Sequence, residues 1–244
     1  MLKAIFFALA FSIAGCCYAA WPNIALPEKV NSFLAGEEII ANGVPMRVKG
    51  FVSPLKVEEL QAWFRRSLGQ PLVENTLGAK RILGRAQEGY YLTVQIEPAG
   101  KDLNAGSKGL VTVSDIKRAG ENHSHYAEST QRWLQRWPSG SKIISHVVSD
   151  DDGKASSHVV LTNGYSEELN RDAIKNILRQ DGFFLERESL PVPRLAQDLP
   201  AMVRNARTLF FKGDGREAIA VIQKNELGRT AIVLNTITQL ERIK

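Results

Sequence analysis

The chain has 244 residues, a formal net charge of +5, 44% hydrophobic residues and two cysteines. The excess of cations is mild and spread along the chain, which excludes a nucleic-acid footprint. Both cysteines lie in one stretch, "SIAGCCYAAW".

Residues 1–20 read as a secretory signal. Lys3 supplies a short positive region, and Ala4 to Ile13 an apolar run too short to span a bilayer. Two processing readings stay open. Ile13-Ala14-Gly15-Cys16 resembles the bacterial lipobox, which implies a lipid on Cys16 and attachment to a membrane. Cys17-Tyr18-Ala19 instead fits an ordinary cut before Ala20, with small residues at −3 and −1. Either cut leaves no cysteine pair, so the exported chain is expected to rely on its core rather than on disulfides.

Residues 21–36 read as an N-terminal tether, because Pro22 and Pro27 interrupt any period, although Glu28 to Leu34 has room for a short helical turn. The first strand is expected near Glu37. "EEIIANGVPMRVKGFV" reads as a hairpin around Asn42-Gly43. In "SPLKVEELQAWFRRSLG", Ser53 is the expected N-cap, Pro54 the first helical residue and Gly69 the stop, with Leu60, Phe64 and Leu68 on one face. "YYLTVQIE" and "GLVTVSDI" then form a second hairpin across a Gly/Asn loop.

The order recurs downstream. Two β-branched runs flank Asp151-Asp152-Gly153, a helix is expected between Ser166 and Gly182, and "EAIAVIQK" and "RTAIVLNT" flank Glu226-Leu227-Gly228. Ser53 and Ser166 are as far apart as Gly69 and Gly182. The expected fold is therefore α+β: two tandem related modules at 37–120 and 141–244, each an antiparallel sheet with one main helix across it. Two segments break the repeat. Residues 121–140 form a linker with a short amphipathic helix, and "SLPVPRLAQDLPAMVRN" is a proline-rich insertion in which Asp198 to Asn205 could form a short helix.

No catalytic, cofactor-binding or metal-binding residue is assigned. His123-Ser124-His125 would share a face if extended and could hold a metal, but a polar loop fits the segment better. His146 and His158 alternate with apolar neighbours and are expected on one face as a solvated pair. The Ser-x-x-Lys matches at Ser53 and Ser139 lack companion motifs. Asp150 to Gly153 and Gly213-Asp214-Gly215 read as turns, since neither calcium-loop spacing nor a dinucleotide fingerprint is present.

The stripe of Trp133 and Trp137, flanked by Arg132 and Arg136, is the candidate partner-binding feature; its alternative is packing that fixes the two modules together. The expected role is that of an exported bacterial envelope protein. It would be periplasmic or lipid-anchored, non-catalytic and without cofactors, binding or positioning other envelope proteins in a secretion or appendage assembly. The alternatives are a small-ligand or glycan-binding protein using the cleft between modules, and a hydrolase whose first residues to test are His146 and His158.

Overall fold

The computed structural model describes residues 21–100, 106–151, 153–190, 206–225 and 227–239. The first half runs β1 (Asn31–Ala41), β2 (Val44–Ser53), α1 (Val57–Leu68), β3 (Val73–Leu77), β4 (Lys80–Gln87), β5 (Tyr90–Pro98) and β6 (Ser107–Asp115). Helices α2 (Ile116–Glu121) and α3 (His123–Leu134) follow. The second half is β7 (Lys142–Asp151), β8 (Lys154–Asn163), α4 (Glu167–Gln180), β9 (Phe184–Ser189), β10 (Arg207–Gly213), β11 (Arg216–Lys224) and β12 (Thr230–Gln239). The fold is mixed α+β.

Among the described residues twelve strands join one open antiparallel sheet in the order β3-β4-β5-β6-β2-β1-β7-β8-β12-β11-β10-β9. The halves meet at β1 and β7, through the pairs Glu38–Asp150, Ile39–Ser149, Ile40–Val148 and Ala41–Val147. Asn42 and Gly43 take positive φ of 50° and 82°, as the tight β1–β2 turn requires.

Helix α1 lays Leu60, Phe64 and Leu68 on Phe51, Leu83, Val94 and Ile96. Helix α4 lays Ile174, Ile177 and Leu178 on Leu161, Leu209, Ile222 and Ile232. Each helix thus has its own core cluster on the same kind of sheet face. Strand alternation sends Val52 and Leu110, and Ile219 and Ile237, to the opposite face, each more than a third exposed.

Four expectations need correction. Residues 21–36 are not a tether: Ile24 is buried, Trp21, Leu26 and Val30 pack on the first cluster, and β1 begins at Asn31. The prolines there block a strand but not packing of the apolar residues between them. Helix α1 begins at Val57, not at Ser53-Pro54. Ser53 ends β2, its Oγ accepts the Leu55 N–H at 3.1 Å, and the Lys56 N–H donates to Glu59 at the helix start. Among the described residues four strands, not the single expected hairpin, follow each main helix, because the short outer strands β3 and β9 carry polar residues and escape the alternation test. His123 and His125 lie in α3 rather than in a loop, and helical spacing puts them on different faces. Ser166 caps α4 as expected, accepting the Leu169 N–H at 3.2 Å.

Candidate functional site

On the helix side of each half, beside the core cluster, lies a cavity of about 170 Å³. In the first half it is lined by Trp21, Asn23, Ile24, Arg47, Lys49, Val111 and Val113. In the second it is lined chiefly by Trp133, His146, Ser157, Asp181, Phe183, Leu234 and Thr236.

Register makes these places correspond. Arg47 pairs with Val113 and Lys49 with Val111 across β2–β6, while Ser157 pairs with Thr236 and Val159 with Leu234 across β8–β12. Arg47 lies six residues before Ser53, and Ser157 six before Asn163, the last residues of their strands. A tryptophan-bearing segment ahead of the first strand of each half walls the cavity: Trp21 to Ile24 in one case, Trp133 in the other.

The first cavity is cationic. The Arg47 guanidinium lies 4.9 Å from the Trp21 ring centroid, and Trp21 packs on Tyr90 at 5.4 Å. A smaller adjoining cavity shares Trp21 and Arg47 and adds Arg118 and Glu38. Sequence reasoning missed Arg47 and Lys49, because cations at alternate strand positions signal a solvent face. Phe51, in phase with both and buried in the core, is the signal that could have placed them.

The second cavity holds His146, whose imidazole burial pushes below its ordinary value. Its Nε2 lies 3.4 Å from Ser157 Oγ, longer than a good hydroxyl hydrogen bond. Among the described residues no carboxylate bonds to His146. Ser157 sits inside β8 between two paired strands, so neighbouring backbone amides belong to the ladders rather than to an oxyanion. The arrangement lacks the parts of a nucleophilic triad.

His158 does not join His146. His146 pairs with Val159, so His158 projects from the opposite face, where Nδ1 meets Asn235 Oδ1 at 2.5 Å. The expectation of a shared face is corrected.

The tryptophan stripe divides. Trp137 is 5% exposed and belongs to the second cluster, which removes its ring from any partner-binding surface. Trp133 is partly buried against the same cluster, 5.0 Å from Trp137. Arg136 donates to the Ile177 carbonyl and to Asp181 at 2.7 Å, while Arg132 is exposed. At the other end of α3, Tyr126 covers Gly43 in the β1–β2 turn. The helix therefore touches both halves, although Trp133 on it and Trp137 just past its end serve only one. Among the described residues no group of three metal-capable side chains comes together, and no helix is long and apolar enough to cross a membrane. Cys16, Asp152, Glu226 and the proline-rich insertion at 191–205 lie outside the described residues.

No protein-family model matches this chain, and no curated protein matches it. Among solved structures it is similar to the apo structure of immunity protein TplEi of T6SS from Pseudomonas aeruginosa. That likeness has 12% identity and a TM-score of 0.26, over 90% of this chain and 85% of the other. A TM-score that low supports neither a shared fold nor a shared role.

Proposed function

We propose that this is an exported bacterial envelope protein of two tandem related modules, non-catalytic, that binds or positions other proteins in the envelope. The signal-like residues 1–20 and the lipobox-like Cys16 support export and a lipid anchor.

Support for the tandem reading comes from three correspondences. Strand order outward from the centre is β1-β2-β6-β5-β4-β3 on one side and β7-β8-β12-β11-β10-β9 on the other. Ser107 Oγ donates to the Leu55 carbonyl at 2.7 Å, as Thr230 Oγ1 does to the Tyr165 carbonyl at 2.5 Å. Arg65 on α1 holds Glu74 on β3, as Lys175 on α4 holds Glu188 on β9. Given the packing of residues 21–30 on the first cluster, the first module would run from Trp21 rather than from Glu37.

The observation that carries the binding role is the sheet face opposite the helices. Phe33, Val52 and Leu110 in the first half, and Ile219 and Ile237 in the second, are exposed there. The end strands β3 and β9 also have one unpaired edge each among the described residues. Exposed apolar sheet surface and free edges are features by which β proteins take on partners. Affinity capture from detergent-solubilised envelopes tests this. The wild-type chain should retrieve a protein that an Ile219→Lys, Ile237→Lys variant does not, at an unchanged melting temperature. Equal retrieval by both would remove the face from the proposal.

A second reading, small-ligand or glycan binding, is favoured by the cavity beside Trp133, where an aromatic wall meets His146, Ser157 and Thr236. Calorimetric titration with neutral monosaccharides, using Trp133→Ala as the control, separates it from the first.

A further inference from the structure

We propose that the groove formed by Trp21, Arg47, Lys49 and Arg118 is an anion site that seats the phosphate of a phospholipid headgroup at the membrane surface. The choice of a lipid rests on the membrane-anchor reading of Cys16; the anion site itself does not.

The first argument is an internal control. The corresponding positions in the second half are Ser157 and Val159, against Arg47 and Lys49. A sheet of this register therefore forms beside its core without cations at those two places. Arg47 and Lys49 are themselves exposed, yet they line a cavity floored by the buried residues Ile24, Val111 and Val113. Apart from the stacking of Arg47 on Trp21, the described residues offer these cations no partner, and an anionic ligand would.

The second argument is charge balance. Two adjoining cavities share Trp21 and Arg47, and together they bring in Lys49, Arg118 and a single carboxylate, Glu38. Among the described residues none of the three cations forms an ion pair, whereas Arg65, Lys175 and Arg207 all do. The backbone N–H of Arg118 donates to Asp115, and among the described residues its guanidinium makes no hydrogen bond. Planar guanidinium donors bind phosphate oxygens bidentately.

The third argument is place. Trp21 stands five residues after Cys16, a contour of at most about 17 Å. A diacylglycerol on Cys16 would hold the groove within that distance of the headgroups. There a half-buried indole suits the interface and each cation adds attraction to anionic lipid.

The test is co-sedimentation of the exported Cys16→Ser chain with phosphatidylcholine vesicles, with or without about 30 mol % phosphatidylglycerol. The anionic vesicles should bind it and the neutral ones should not. Arg47→Ser with Lys49→Val, the residues of the other half, should keep the parent melting temperature. It should also weaken binding about twenty-fivefold, each cation giving about a fivefold factor near an anionic surface. Inorganic phosphate at matched ionic strength should compete, and binding of phosphate without binding of vesicles would overturn the lipid source. Equal vesicle binding by parent and double variant would overturn the site. Intact mass of the wild-type chain separates the two readings. Vesicle binding by an unlipidated wild type sinks the anchor alone; a lipidated wild type whose Cys16→Ser form ignores anionic vesicles sinks the groove alone.

Discussion

Asn163 and Asn170 hold each other through two amide hydrogen bonds, of 2.7 and 3.0 Å, in a place from which solvent is wholly excluded. Asn163 ends β8 and Asn170 faces it from α4. The corresponding residues of the first half are Ser53 and Leu60, also buried. A buried amide is tolerated only when its donors and acceptors are met. Asn170→Leu alone should therefore cost about 2 kcal/mol, because it takes two of the four hydrogen bonds from the buried Asn163 amide, leaving those to Ser141 and from Tyr165. The double change Asn163→Ser, Asn170→Leu installs the first half's solution and should recover most of that loss. Denaturant midpoints of the two singles and the double make the check. A double variant as weak as the sum of the singles would show that the two halves do not share this design.

Trp137 and Trp133 invite a graded expectation. Trp137 is buried, so Trp137→Ala should destabilise by about 3–5 kcal/mol. Trp133 keeps part of its ring exposed and should cost less. The Trp137 indole nitrogen has no hydrogen-bond partner among the described residues, so Trp137→Phe removes no polar contact and should be the mildest change. Thermal melts of the three variants should fall in that order. If Trp137→Ala melts like the parent, the segment after α3 is not part of the second core.

Local signals were legible in the sequence; register and long-range placement were not. Asn42-Gly43, Ser166 and Gly69 sit at the turn, cap and stop expected, because each is decided by φ or by a hydrogen bond within a few residues. Ser53 was misread because a serine before a proline can cap a helix or close a turn, and its choice depends on Leu55 and on Ser107. His146 and His158 look alike along their own strands. Only the pairing of β7 with β8, which slips between Ile143 and Ser145, decides that they leave opposite faces. Arg47 and Lys49 were hidden for the same reason, since the phase of β2 is fixed by Phe51 beneath α1. The joining of the halves rests on four residue pairs that no local pattern announces.

Two acidic residues on the end strands should differ in weight. Glu188 accepts from Lys175 at 2.8 Å and from Arg207, and these cations hold its carboxyl below the usual range. Glu188→Gln leaves the two cations facing each other around Arg207, which is mostly buried, and should cost about 2 kcal/mol. Glu74 meets Arg65 bidentately at 2.6 Å, but the Arg65 side chain is half exposed. Glu74→Gln should therefore cost less than about 1 kcal/mol. Urea midpoints near neutral pH compare them directly, and a larger loss at Glu74 would reverse the argument.

His146 gives the fold a pH dependence. Burial depresses its pKa from the ordinary value of 6.5, so below that value the unfolded chain takes up its proton more readily than the folded one. Stability should be full above about pH 6.5 and decline as pH falls toward the folded pKa. His146→Gln should flatten that decline relative to the parent, whatever the other histidines contribute to both. Parallel declines in the two proteins would show that His146 is as well solvated folded as unfolded.

The anchor is decided at Cys16, but its consequence is set by Trp21. Residues 21–30 are packed on the first half of the sheet rather than hanging free, with Trp21 against Tyr90 and Ile24 in the core. A lipid on Cys16 would leave only five residues between the acyl chains and a fixed point on the fold. One cysteine carrying several acyl chains holds stably, since a single chain binds only marginally and each buried methylene adds about 0.8 kcal/mol. Cys16→Ser should then shift the protein from the membrane fraction to the soluble periplasm, or stall its processing, without changing its melting temperature. Inserting a flexible segment between Cys16 and Trp21 should leave fractionation unchanged but relax the hold of the first half at the bilayer, read as greater protease access at the β1–β2 turn. A wild-type mature chain that begins at Ala20 and carries no lipid would reduce "SIAGCCYAAW" to an ordinary cleavage site, and Trp21 would then lie beside a new α-ammonium rather than beside a membrane.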